Sequence, residues 1–170
     1  MSISEPSSIR LHTDLILQGA EAQEAFGQCL AAYLAPPLMI YLEGDLGAGK
    51  TTLVRGILRG LGHQGAVVSP SYTLVETYRP GDFALHHLDL YRLGHAEELE
   101  YLGLEDLCDG CGVLLVEWPE RGAGVLPAAD VRIRIEHRKQ ARALGLLGQS
   151  PVGKQLAEQV QAACVSEKLL

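Results

Sequence analysis

Apolar positions recur with a helical period at Ala22, Ala25, Phe26, Cys29, Leu30, Tyr33 and Leu34, which predicts a helix over residues 21–34. Pro36 and Pro37 follow and end it. The near-continuous apolar run over 38–43 has the pattern of a strand buried on both faces. A glycine-rich loop comes next, then a helical pattern over 50–61. Residues 73–78 and 84–89 flank a Pro80-Gly81-Asp82 turn and read as a hairpin. A short helix is expected over 95–101 and a second buried strand over 113–117. Residues 131–137 alternate apolar and polar, which predicts a half-exposed strand, with 141–147 as its pairing candidate. Residues 9–17 read as an edge strand, and 151–168 as a weakly amphipathic terminal helix. Buried strands interspersed with helices predict an α/β fold, and the hairpin and late alternating strands predict a mixed central sheet flanked by helices.

The bulk properties narrow the class. At 170 residues the chain suits one domain with one sizeable core. The apolar runs at 38–42 and 112–116 fall far short of the roughly 20 residues that cross a bilayer. Residues 1–8 lack a basic start followed by an apolar stretch, so no signal peptide is expected. Four cysteines without regular spacing do not suggest a disulfide-stapled secreted domain. A cytoplasmic protein with no membrane partner is expected. The net charge of −7 argues against unaided binding to nucleic acid, whose phosphates are held mainly by Lys and Arg.

Gly44-Asp45-Leu46-Gly47-Ala48-Gly49-Lys50-Thr51 matches the P-loop pattern G-x-x-x-x-G-K-[ST] in full. Glycines let the backbone curl until successive N–H groups converge on phosphate oxygens, and the following helix adds its positive dipole end. Lys50 then reaches the β- and γ-phosphates, and the Thr51 hydroxyl is a hard-oxygen ligand for Mg2+. Such a match arises by chance in roughly one per cent of chains this long. The buried strand before it and the helix after it reduce that further.

A P-loop needs an acid at a neighbouring strand end to hold the magnesium shell. Glu117 ends one buried run and Asp89 another, and either can touch metal or orient water. The Ser69-Pro70-Ser71-Tyr72-Thr73 stretch lies where P-loop proteins place a switch that senses the γ-phosphate, although such a stretch is also an ordinary turn.

Gly44 to Leu53 (GDLGAGKTTL), Ser69 to Glu76 (SPSYTLVE), His87 to Leu93 (HLDLYRL) and Val116 to Glu120 (VEWPE) occur in this order, and together they resemble the TsaE (YjeE) family. The resemblance covers roughly residues 20–145. It implies a P-loop NTPase-like fold with residues 1–150 as a single ATPase domain and 151–170 as its C-terminal helical extension. It also implies an ATP- and Mg2+-dependent ATPase of bacterial tRNA threonylcarbamoyladenosine synthesis. Members of this family work with TsaB and TsaD. TsaD transfers the threonylcarbamoyl group to the adenosine beside the anticodon, and the ATPase resets the assembly, so tRNA is met only indirectly. By position, the resemblance assigns nucleotide binding to Gly44, Asp45, Leu46, Gly47, Ala48, Gly49, Lys50, Thr51 and Thr52. It assigns magnesium to Thr51 and Glu117, and hydrolysis to Asp89 together with Lys50 and Glu117. Trp118 falls near the nucleotide or a partner, and Arg142 near the base or phosphates. Two departures stand out. The usual Ser-Pro-Thr-Tyr is Ser-Pro-Ser-Tyr, which keeps a hydroxyl at Ser71. The threonine expected before the glycine of the first helix is replaced by Gln23, so no base contact is inferred from that segment.

Other features carry blander readings. Cys108-Asp109-Gly110-Cys111 is a lone C-x-x-C and reads as a turn before the 113–117 strand. Arg132, Arg134, His137, Arg138, Lys139 and Arg142 form a basic stretch, read as a solvated strand face with a tRNA contact as the alternative. Glu97, Glu98 and Glu100 read as an exposed helix face. His86 and His87 point to opposite faces and are read as structural. Trp118 beside Pro119 at a strand end suits an interface or nucleotide contact better than a core. Two other functions compete. One is a small-molecule P-loop kinase, which needs an arginine-rich lid, whereas Arg79, Arg92 and Arg121 are scattered. The other is a nucleotide-gated binding module without useful turnover.

Overall fold

The computed structural model describes residues 14–167. The chain runs through β1 (Asp14–Leu17), α1 (Gly19–Ala31), β2 (Leu38–Glu43), α2 (Lys50–Gly60), β3 (Val75–Tyr78) and β4 (Ala84–Asp89). It continues through α3 (Glu98–Tyr101), α4 (Leu104–Leu107), β5 (Gly112–Glu117), a 3-10 turn (Pro119–Gly122), β6 (Val131–Arg138), β7 (Ala141–Gly148) and α5 (Pro151–Ser166). The leader reading at 1–8, the start of the first expected strand and residue 168 of the terminal helix lie outside the described residues.

The strands form one seven-stranded sheet in the order β1-β7-β6-β2-β5-β4-β3. Its centre is parallel: β2 pairs with β5 and β6, and β4 with β5. Both edges are antiparallel, through β3–β4, β6–β7 and β1–β7. The fold is thus α/β with a mixed sheet. The expected pairing of the late strands runs from Val131 opposite Gly148 to Arg138 opposite Ala141.

The central strands bury both faces, which explains their unbroken apolar runs. Leu38, Ile40 and Leu42 of β2 join Leu85, Val113 and Leu115 in the larger core, under α1, α2 and α5. Met39 and Tyr41 join Leu88, Leu114 and Val116 in the smaller core beneath α3 and α4. The expected helix over 95–101 is shorter, and α4 follows it unforeseen, because four residues are too few to display a period.

Helix α1 seats α2 by close backbone approach. A Cβ on Gly56 would lie 2.4 Å from the Glu24 carbonyl oxygen, and one on Gly27 2.7 Å from that of Leu53. This contact fixes the helix that follows the glycine-rich loop against α1. Helix α5 meets α1 through Cys29 and Cys164, whose sulfurs are 4.0 Å apart. Burial pushes the Cys164 thiol up to about 12, so it acts as a packing group.

Candidate functional site

The glycine-rich loop joins β2 to α2 at the carboxyl edge of the parallel strands, where open α/β sheets place ligands. Gly49 lies at φ +106°, a conformation that favours glycine, and a Cβ there would also press on the Gln23 amide at 2.3 Å. Gln23 is buried and donates from Nε2 to the Ala48 carbonyl at 3.2 Å. Arg142 on β7 donates from Nε to the same carbonyl at 3.1 Å. The loop is thereby braced from α1 and from the far strands at one oxygen. No side chain caps α2, so the orphan N–H groups of its first turn remain for an anion.

Two acids close the site from the neighbouring strands. Asp89 and Glu117 end β4 and β5 in register with each other, and both are buried. Ser69 donates its hydroxyl to Asp89 Oδ2, and the Tyr91 amide donates to Oδ1 at 3.0 Å. The main chain at Asp89 is held by its amide donating to the Leu74 carbonyl at 3.0 Å. Glu117 Oε1 accepts from the Thr51 hydroxyl at 3.1 Å and is 2.8 Å from His87 Nε2. Lys50 and Thr51, the first two residues of α2, and both strand-end acids line one cavity.

Lys50 folds back on the loop. Its ammonium donates to the Gly44 carbonyl and, at 3.1 Å, to that of Asp45, and it lies 4.1 Å from the Trp118 ring centroid. Burial lowers the lysine pKa, and the negative charges of Glu117, Asp89, Glu120 and Asp45 oppose that shift. Trp118 takes a left-handed conformation at φ +57°, uncommon for a bulky residue, and thereby turns its ring over the loop beside Tyr91.

These groups line an open cavity of about 480 Å³. Leu46, Gly47, Ala48, Gly49, Lys50, Thr51 and Thr52 form its floor, and Ser69, Ser71, Asp89, Glu117 and Trp118 form its wall. Gly44 and Asp45 instead face a neighbouring cavity behind Trp118. Arg142 reaches the loop carbonyl from outside the cavity lining. Arg92 also lines the main cavity, with its guanidinium 4.3 Å from the exposed Tyr72 ring. Among the described residues, no group of three or more His, Cys, Asp or Glu side chains is placed to hold a metal unaided.

Sequence reasoning gave Gln23 and Arg92 no role at this site, and it missed Tyr91 and the contact made by His87. A polar residue within the apolar stripe of α1 was the available signal for Gln23. His86 and His87 do face opposite cores, but only His86 has a purely structural partner, Thr77 Oγ1 at 2.9 Å. Cys108 to Cys111 forms the expected turn, where the Cys111 amide donates to Asp109 Oδ1 at 2.8 Å. Arg132 and Arg134 both pair with Glu43, at 3.1 and 3.6 Å, as suits a strand face. Among the described residues, no helix is long and apolar enough to cross a membrane.

Residues 17–144 match the family model described as threonylcarbamoyl adenosine biosynthesis protein TsaE. The chain is 50% identical over 119 residues to the tRNA threonylcarbamoyladenosine biosynthesis protein TsaE of Haemophilus influenzae, covering 70% of this chain and 75% of that one. It is 40% identical over 116 residues to the protein of the same name from Bacillus subtilis, covering 68% and 72%. The crystal structure of Bacillus subtilis YdiB superposes with a TM-score of 0.75 at 30% identity, over 91% of this chain and 98% of that one.

Proposed function

The chain belongs to the TsaE family of tRNA threonylcarbamoyladenosine biosynthesis proteins, and from that premise we propose that it binds ATP with magnesium and hydrolyses it in concert with TsaB and TsaD. The observation that carries this reading is the meeting of Thr51 with Glu117 at 3.1 Å, at the uncapped start of α2 and beside Asp89.

The residues present suit the ligands. The first-turn amides of α2 and the positive-φ glycines Gly47 and Gly49 suit a phosphate chain. A hydroxyl and a single carboxylate are hard-oxygen donors, the set that magnesium uses when phosphates and waters complete its shell. Thr51 and Glu117 would hold the ion, which when bound supplies positive charge against the β- and γ-phosphates.

Each side chain then has a task. Lys50 leaves the loop carbonyls and Trp118 to neutralise phosphate charge. Asp89 is oriented on both oxygens, by Ser69 and by the Tyr91 amide, so it can accept a hydrogen bond from an attacking water. Ser71 stands on the cavity wall as a contact for the terminal phosphate. Trp118 and the exposed Leu46 and Tyr72 offer an apolar rim for a protein partner. A partner group entering there completes charge neutralisation, which makes turnover slow in the isolated chain.

Phosphate release, measured with this protein alone and then with TsaB, TsaD and tRNA added, tests the reading. A clear rise on adding them is expected. An unchanged rate contradicts the concerted role, and ADP formation that requires an added small metabolite identifies a kinase instead.

A further inference from the structure

We infer that His87 is a positioning residue for Glu117, holding its carboxylate for metal binding from inside the core; this rests on the ATP- and magnesium-site reading above. His87 is fully buried in the middle of β4. Leu85, His87 and Asp89 share one face of that strand, and their register partners Val113, Leu115 and Glu117 share the same face of β5. The ring therefore lies one step below the carboxylate, on the side that supports α2.

The hydrogen-bond pattern fixes the direction of the contact. Nε2 is 2.8 Å from Glu117 Oε1, whereas Nδ1 is buried and has no partner. A ring with one N–H places it where an acceptor exists, because a buried orphan donor is costly. The geometry thus assigns the Nε2–H tautomer, donating to Glu117. Among the described residues, both side-chain hydrogen bonds on Glu117 fall on Oε1, one from the core and one from Thr51. Oε2 carries no side-chain hydrogen bond among the described residues, so it is free for a ligand while Oε1 is anchored from two sides. The glutamate main chain is fixed separately by the Leu90 amide, which donates to its carbonyl at 3.1 Å. A buried histidine kept only for packing would not be expected to spend its one donor on a site acid while leaving its other nitrogen unmet.

Groups that orient a ligating carboxylate typically contribute about 10–100-fold to metal affinity. The test measures binding of a nonhydrolysable ATP analogue, adenylyl imidodiphosphate, by equilibrium dialysis across a magnesium titration. Wild type is compared with His87→Leu, His87→Asn and His87→Gln. Glutamine carries its amide N–H to about the reach of Nε2, whereas asparagine does not. In the Leu and Asn variants the half-saturating magnesium concentration rises by about 10-fold or more, while affinity for the analogue without magnesium is unchanged. The Gln variant stays near wild type. Equal magnesium dependence in wild type, Asn and Gln overturns the inference, as does a Gln variant impaired as much as Asn. Should the Leu variant fail to fold, the Asn and Gln pair decides. Failure of the wild type to bind the analogue at any magnesium concentration overturns instead the functional reading on which the inference rests.

Discussion

The Lys50 ammonium stacks 4.1 Å from the centre of the Trp118 ring while it donates to two carbonyls of its own loop. The lysine proposed to meet phosphate is thus held by its own loop and by Trp118. Trp118 is the single tryptophan, so its emission reports this contact. Adding ATP and magnesium should shift the Trp118 emission. Lys50→Ala should shift it in the free protein and abolish the further response. A Lys50→Ala spectrum identical to wild type would show that the cation does not sit on the ring in solution.

The two acids should separate by role. Asp89→Asn keeps ATP affinity but lowers phosphate release by roughly 10²–10⁴-fold, because the water-orienting charge is lost. Glu117→Gln also loses the magnesium enhancement of binding. Parallel binding and phosphate-release assays check this, and equal behaviour of the two variants would refute the division.

Gly153 lets the start of α5 pack on the Asp130 carbonyl, where a Cβ would come within 1.7 Å of the oxygen. Gly153→Ala should cost about 1–3 kcal/mol by overpacking, measured by urea unfolding, with ATP affinity unchanged. Asp130 itself ties three segments, accepting from the Met39 amide at 2.8 Å and the Ser150 hydroxyl at 2.7 Å. A stable Gly153→Ala protein would show that α5 can slide without loss.

Burial lowers the pKa of His86 from 6.5; Asp109 opposes the shift and Arg79 adds to it. A histidine depressed on folding supports the native state fully above pH 6.5, and that support is lost as pH falls from there through the folded pKa. Urea midpoints between pH 8 and pH 5 should therefore fall less steeply in His86→Asn, which retains a polar group near Thr77. Parallel curves for the two proteins would remove His86 from the acid response.

Much of this architecture was legible in the residues. β2, the loop and α2 declare themselves through a doubly buried run, glycines and a resumed helical period. The strand-end positions of Asp89 and Glu117 were equally visible. Their alignment was not, because register between β4 and β5 is set by the whole sheet and not by local pattern. The same holds for Gln23 and His87. Neither stands out among its chain neighbours, Gln23 among Glu21 and Glu24 and His87 beside His86, and each acquires its task only when α1 meets the loop or β4 meets β5. The antiparallel contact of β1 with β7 is likewise a product of chain ends meeting, with Leu17 opposite Arg142.

Calorimetric titration of folded protein with ATP, in the presence of magnesium, bears most directly on all of this. A saturable heat with one nucleotide per chain is predicted, lost in Lys50→Ala and weakened when magnesium is withdrawn. No heat from well-folded wild-type protein would contradict a triphosphate site at this loop.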